Sequence, residues 1–150
     1  MEPHDYVKFP ELTNAQMDTL ELTSPHVQIK DDFRAIVEKV TDGDTVRLSC
    51  SFRDFTFPLR FLNIDAPEMN AGGEEAKEWL KGMVEGDEVE IKIDKRNRVG
   101  KYGRLLGTVI SGGLDMGEAM LSLGYAVPFG MKNEGQPKPL DKMLRLEQWF

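Results

Sequence analysis

Residues that favour strands dominate the chain from position 33 onward, in short runs broken by turn residues. Positions 33–40 are rich in β-prone residues, and positions 45–50 and 56–63 alternate apolar with polar side chains, which predicts three consecutive strands. The Asp42-Gly43 pair indicates a tight hairpin between the first two strands. Because Pro58 has no N–H to donate, the third strand is expected to lie at a sheet edge or to contain a bulge.

A helical pattern follows the third strand. At positions 74–85 apolar residues, including Trp79 and Met83, recur at the spacing of a helix and are expected in the core, and Gly86 follows as a stop. The remaining predicted elements are two strands and two helices, at 88–93, 104–110, 116–123 and 140–149. Five short strands with a helix inserted after the third is the order of an OB-type barrel. We therefore expect a β-rich α+β fold, a five-stranded OB-fold barrel with about three helices.

Positions 1–32 differ from the rest of the chain, because they are polar and show only a short helix signal at 13–17. We interpret them as an acidic N-terminal extension ahead of a domain at 33–150, either packed on that domain or mobile. Seven acidic residues and two lysines give the extension −5 of the chain's net charge of −7. Proteins that coat nucleic acid are basic, so that class is excluded, and any nucleic acid must bind at a local basic site.

Composition also bears on the compartment. The first residues show no basic start followed by an apolar stretch, so no signal peptide is visible, which favours a cytoplasmic or virus-borne protein and leaves secretion open. The single cysteine, Cys50, cannot form an internal disulfide, which suits a reducing compartment. No apolar run approaches membrane-spanning length, so we expect no membrane association. We also expect a monomer.

Two acidic motifs interrupt the ends of strand-like runs, at Asp42-Gly43-Asp44 and at Asp65-Ala66-Pro67-Glu68. Taken alone, the first is explained by a hairpin turn and the second by an acid-capped strand end. Carboxylates and an arginine placed this densely at strand ends are costly unless they hold a metal or a phosphate. Pro67 holds Ala66 extended and so fixes its carbonyl. Oxygen donors favour Ca²⁺ or Mg²⁺ over zinc, and the two histidines, His4 and His26, both lie in the extension.

Two arginines accompany these motifs. Arg60 lies inside an apolar strand, where a structural salt bridge would explain it, and Arg104 follows Gly103, where an exposed strand-end charge would. Two guanidinium groups beside an acidic metal site nevertheless match the needs of phosphoryl transfer. The basic turn at 95–98, with Lys101, is either a solvated loop or a group that gathers phosphates.

Four motifs together resemble the staphylococcal nuclease (thermonuclease) family, and the resemblance runs from about Phe33 to the C-terminus. They are Val40-Thr41-Asp42-Gly43-Asp44-Thr45-Val46, Leu59-Arg60, Ile64-Asp65-Ala66-Pro67-Glu68 and Lys101-Tyr102-Gly103-Arg104. The resemblance implies an OB-fold, calcium-dependent phosphodiesterase that cuts single-stranded DNA and RNA and leaves 3′-phosphates. Its substrate partner would be nucleic acid.

The resemblance also implies a set of metal ligands. Asp44 and Asp65 would be calcium ligands, with the backbone carbonyl of Ala66 as a third. Asp42 would reach the ion through water. Ca²⁺ is expected rather than Mg²⁺.

The resemblance further implies catalytic and substrate-binding residues. Glu68 would activate the attacking water, and Arg60 and Arg104 would clamp the phosphate. Lys101 and Tyr102 would contact the terminal phosphate of a bound nucleotide.

The chain departs from the family pattern outside this catalytic set. Ala66 replaces a threonine, the 69–73 loop is short and lacks lysine, no tyrosines occur around Gly130-Met131, and the protein is acidic. Two other classes therefore stand beside a nuclease. One is a non-catalytic module of this type that binds nucleic acid or a protein partner. The other is a plain OB-fold single-strand binder, although the phenylalanines at 52, 55, 57 and 61 are expected mostly in the core.

Overall fold

The computed structural model describes residues 6, 8–20, 24–100 and 103–130. Three predictions lie outside these residues: the last helix at 140–149 and the placements of Lys101 and Tyr102.

The described chain forms a closed barrel. Its strands are β1 (Phe33–Asp42), β2 (Thr45–Cys50), β3 (Arg53–Phe61), β4 (Ile64–Asp65), β5 (Glu88–Lys92), β6 (Leu105–Ser111), β7 (Leu114–Asp115) and β8 (Val127–Pro128). Five of them are joined in the order β3-β2-β1-β5-β6, and a parallel pairing of β3 with β6 closes the ring. β7 adds to the edge of β6, and β4 pairs separately with β8. The predicted five-stranded OB-fold barrel is confirmed.

Alternation explains why these segments form strands around one core. In β2 and β3 the inward positions, among them Val46, Leu48 and Phe57, are almost fully buried, and each such side chain contributes about 1.5–3 kcal/mol. Pro58 lies opposite Arg47 in the β2–β3 pairing, and β3 gains its second neighbour only from Leu59 onward. The edge interpretation of Pro58 is therefore confirmed, because its missing N–H interrupts no ladder.

Three helices accompany the barrel within the described residues: α1 (Asn14–Leu20), α2 (Glu74–Val84) and α3 (Met116–Leu123). The predicted helices at 74–85 and 116–123 are confirmed, and α3 ends at Gly124 with φ 80°, the left-handed geometry that glycine adopts readily. The expectation that Met83 is a core residue is wrong, because its side chain is 38% exposed on the outer face of α2. No helix among the described residues is both long and apolar enough to span a membrane.

The described part of the N-terminal extension packs on the barrel. Leu12, Gln28 and Ile29 are buried, and Ile29 belongs to the same core cluster as β1. The Gln28 side chain donates to the Pro10 carbonyl at 2.9 Å and accepts from the Leu12 amide at 2.6 Å, which fastens the two halves of the extension together. Of the two alternatives for this segment, packing is the correct one for residues 8–20 and 24–32.

Candidate active site

The two acidic motifs meet at one arginine. Asp44 lies between β1 and β2, Asp65 ends β4, and Arg60 near the end of β3 lies between them. One terminal nitrogen of Arg60 contacts Asp65 Oδ1 and lies 3.5 Å from Asp44 Oδ2. The structure thus brings together three of the residues that the sequence singled out. It also shows the salt bridge that was the structural alternative for Arg60.

Backbone and side-chain donors hold the Asp44 carboxylate in place. Asp44 Oδ2 accepts from the Ala66 amide at 3.0 Å, and Asp44 Oδ1 accepts from the Thr45 hydroxyl at 3.1 Å. Burial raises the pKa of Asp44 above its usual value, and a hydrogen bond with the Asp42 side chain raises it further. A carboxylate in this position is stabilised by a nearby positive charge.

Asp65 is held from the other side by the chain that follows α3. Its Oδ2 accepts from the Gly130 amide at 3.1 Å, and the Phe129 amide donates to the Asn63 carbonyl at 2.9 Å. Together with the pairing of Asp65 with Val127, these bonds fix the carboxylate between β4 and β8. Neither two-residue strand was predicted from the sequence.

A tight packing contact joins the two acidic motifs. Gly43 is buried in the hairpin turn, and its Cα faces both Ala66 and Ala76 of α2. The turn can approach so closely because glycine has no Cβ. The position of Asp44 relative to Asp65 therefore depends on this glycine.

Replacing Gly43 by alanine is expected to lower the free energy of unfolding by about 1–3 kcal/mol, because overpacked side chains force strain. The new Cβ would lie 2.7 Å from the Ala66 Cβ and 2.9 Å from the Ala76 Cβ. Urea unfolding measures the change. The matched control is Gly82→Ala in α2, where a Cβ meets nothing within 4 Å, and alanine should stabilise the helix there by about 0.5–1 kcal/mol. Unchanged stability of Gly43→Ala would contradict the packing account.

The donor set suits a hard cation. The carboxylates of Asp44 and Asp65 converge on a single positive group, the Arg60 guanidinium, beside the backbone of Ala66. Oxygen donors of this kind are those that Ca²⁺ prefers. Among the described residues no cluster of three or more acidic, histidine or cysteine side chains is arranged around a common point. A cation here would depend on two carboxylates, a carbonyl and water.

Arg60 and Arg104 line one cleft of about 450 Å³. The parallel pairing places Arg60 beside Leu106, so Arg104, just before β6, lies at the same end of the barrel. The cleft is completed by Leu62, Asn63, Asn97, Gly100, Leu106 and Phe129. The sequence placed both arginines near the acidic site, and the structure places both at this cleft.

Phe129 is a cleft residue that sequence reasoning missed. Its side chain is 65% exposed, and the Arg60 guanidinium carbon lies 5.3 Å from its ring centroid. The available signal was an aromatic residue between Pro128 and Gly130, outside any alternating run. An exposed ring beside two arginines can stack on a nucleobase.

Glu68 follows Asp65 by three positions in the sequence. It is exposed, two residues after Ala66, and its carbonyl accepts from the Ala71 and Gly73 amides at 2.8 and 2.9 Å. These bonds hold the wide turn Met69–Gly73 that leads into α2. The activation of water by Glu68 stays a prediction.

The interpretation of the whole basic turn as a solvated loop is wrong. Lys95 and Arg96 are exposed, but Arg98 is only 3% exposed and lies against Glu11. Its charge is therefore directed into the protein and does not gather phosphates. The physical reason is a buried acidic partner far away in the sequence.

The fold and this geometry agree with comparisons to known proteins. A family model described as "Staphylococcal nuclease homologue" matches residues 58–149, which is more than half of the chain. The protein therefore belongs to the staphylococcal nuclease homologue family. The family expected from the four motifs is confirmed.

Named relatives from Bacillus subtilis (strain 168) show the same similarity. The chain is 30% identical to Endonuclease YhcR over 127 residues, covering 75% of this chain and 10% of the relative. It is 32% identical to the SPbeta prophage-derived endonuclease YokF over 97 residues, covering 60% of this chain and 32% of that protein. It is 31% identical to Endonuclease YncB over 97 residues, covering 60% and 45%. The chain thus spans less than half the length of each of these relatives.

Proposed function

We propose that this protein is a calcium-dependent nuclease that hydrolyses phosphodiester bonds of single-stranded DNA, RNA or both and leaves 3′-phosphates. The observation that carries the proposal is the contact of Asp44 and Asp65 with Arg60, an arginine that lines one cleft together with Arg104. Membership of the family and the endonuclease names of its relatives support it.

The proposed metal site consists of Asp44, Asp65 and the Ala66 carbonyl, with Asp42 acting through water. A calcium ion held there would supply positive charge to a phosphoryl oxygen. Hydrogen bonds from the Ala66 amide and the Thr45 hydroxyl fix the orientation of the Asp44 carboxylate. Calcium binding and the Arg60 guanidinium would then share the neutralisation of both carboxylates.

The proposed chemistry uses three side chains. Arg60 and Arg104 form hydrogen bonds to the phosphate from the cleft wall and stabilise the charge that develops on it in the transition state. Glu68 accepts a proton from the attacking water or orients it. Lys101 and Tyr102 are proposed to contact a terminal phosphate.

Cleavage assays test this proposal. The protein is incubated with end-labelled single-stranded DNA and RNA in Ca²⁺, in Mg²⁺ or in a chelator, and phosphatase treatment of the products shows whether they end in 3′-phosphates. We expect cleavage in Ca²⁺ that stops with chelator and is lost in Asp65→Asn. A folded protein that binds either strand without cutting it, in every metal, would instead identify a non-catalytic binding module.

Replacing Phe129 by alanine is expected to raise the KM for single-stranded DNA by about tenfold, because base–aromatic stacking is worth about 1–3 kcal/mol per base. The change should leave kcat within about twofold, since the ring binds a base and not the reacting phosphate. Steady-state kinetics measure both constants. Phe52→Ala is the control, since Phe52 is also exposed but lies outside the residues that line the cleft. An unchanged KM would remove Phe129 from substrate binding.

A further inference from the structure

A buried ion cluster links the N-terminal extension to the barrel. Glu11 is 1% exposed and lies between Arg53 and Arg98, which are 7% and 3% exposed. Glu11 Oε1 is 2.6 Å from Arg53 Nη2, and Glu11 Oε2 is 3.2 Å from Arg98 Nη2. Removing one member of such a cluster leaves an uncompensated buried charge, so its geometry is strongly held.

One side of this cluster is fixed to the barrel wall. Arg53 begins β3, donates to the Val27 carbonyl at 2.7 Å and lies over the rings of Phe55 and Phe57 at 5.1 and 4.6 Å. Cation–π contacts and a carbonyl acceptor leave this guanidinium little freedom. Glu11 is therefore held at a rigid point of the fold.

The other side of the cluster holds the segment that carries Arg104. We call the described residues 93–100 and 103–104, between β5 and β6, the arginine loop. Within it Arg98 donates to the Ile29 carbonyl at 2.8 Å and to the Leu12 carbonyl at 2.5 Å. Arg98 thus fastens the loop to the extension through backbone carbonyls and through Glu11, which supplies the opposite charge.

Backbone hydrogen bonds connect Arg98 to Arg104. The Arg98 carbonyl accepts from the Leu106 amide at 2.8 Å, and the Arg104 carbonyl accepts from the Gly100 amide at 2.8 Å. Arg98 and Arg104 therefore lie on opposite strands of one short antiparallel hydrogen-bonded pair, which includes the bridge between Val99 and Leu105. These bonds link the backbone position of Arg98 to that of Arg104.

The extension touches the arginine loop at several further points, among them contacts of Asp31 with Lys95 and of Asp32 with the Ile93 amide. Phe9 packs on Gly103, where an added Cβ would lie only 2.9 Å from Phe9 Cδ1. The Asn14 side-chain amide (Nδ2) donates to the Lys95 carbonyl at 2.9 Å. The loop is held near its start, at its middle and at the residue next to Arg104.

We propose that Glu11 is a positioning residue for the nuclease reaction: through Arg98 it fixes the arginine loop and so the place of Arg104 at the cleft. The inference rests on the proposed function and extends it to a segment that lies before the residues matched by the family model. The acidic extension is then part of the active site's support. Deleting the extension would remove Glu11 and expose Arg53 and Arg98 without their buried counter-ion.

The test is a double-mutant cycle on cleavage of single-stranded DNA with Ca²⁺. Glu11→Gln is expected to lower kcat by about tenfold or more with a smaller change in KM, because misplacing a group by about 1 Å costs up to about 10²-fold. In a protein that already carries Arg104→Ala, Glu11→Gln should alter kcat by less than about twofold. The reason is that Glu11 acts through Arg104, and the effects of mutations in residues that act as a unit do not add. Val84→Ala, a buried change at the far end of α2 from Ala76, controls for lost stability and should be additive with Arg104→Ala.

If Glu11→Gln does not fold, Phe9→Ala carries the same cycle, because it removes the contact on Gly103 and leaves the ion cluster intact. Effects on kcat that are as large without Arg104 as with it, or no effect on kcat, would overturn the positioning role while the nuclease proposal stands. A wild-type protein that cleaves no substrate would overturn the proposed function and this inference together.

Discussion

Glu68→Gln is expected to lower kcat by about 10²–10⁴-fold, the usual contribution of a positioned general base. Glutamine keeps the size and hydrogen-bonding capacity of glutamate but cannot accept a proton from the attacking water. Because Glu68 is exposed and the substitution keeps its carbonyl, which accepts from the Ala71 and Gly73 amides, the fold should be unaffected. Single-turnover cleavage with saturating Ca²⁺ measures the chemical step.

The control for this prediction is Glu78→Gln. Glu78 is an exposed residue of α2, so the same change of charge is made outside the candidate site. Its rate should equal that of the wild type. A Glu68→Gln variant that cleaves as fast as Glu78→Gln would remove Glu68 from the mechanism.

Arg104→Ala is expected to lower kcat by about 10²–10³-fold, which corresponds to about 3–4 kcal/mol of lost transition-state stabilisation. Arg104 lines the same cleft as Arg60, where its guanidinium can donate two parallel hydrogen bonds to a phosphate. Arg104→Lys should restore only part of the rate, because an ammonium keeps the charge but not the planar fork.

Arg96→Ala is the matched control, since Arg96 is exposed in the same loop and carries the same charge. Its loss should weaken binding slightly at low salt and leave kcat unchanged. Equal effects of the two alanine variants would mean that Arg104 acts only through general attraction of the substrate.

Much of the site was predictable because its residues lie at strand ends. Alternation predicted β2 and β3, and the Asp42-Gly43 pair predicted the turn between β1 and β2. These inferences rest on local chemistry that a single sequence displays. The grouping of Asp44, Arg60 and Asp65 was implied by the resemblance to the family, and the structure shows the contacts among them.

Features that depend on distant pairing were not predictable. β4 and β8 have two residues each, too few to show a period, yet they fix Asp65. Arg98 lies in a polar run that is typical of a solvated turn, but its partner Glu11 is 87 residues away. No local pattern shows that two such charges are buried together, so the role of the extension emerges only from the fold.

The parallel contact between β3 and β6 has a consequence for when activity can arise during folding. Leu59 pairs with Leu105 and Arg60 with Leu106, so both proposed phosphate-binding arginines border the seam at which the barrel closes. Contacts between residues this far apart in the sequence carry a large loop-closure cost and tend to form late. A partly folded chain would keep Arg60 and Arg104 apart and would be unable to cut nucleic acid. On the proposed function, closure of this seam is therefore the step of folding at which cleavage activity arises.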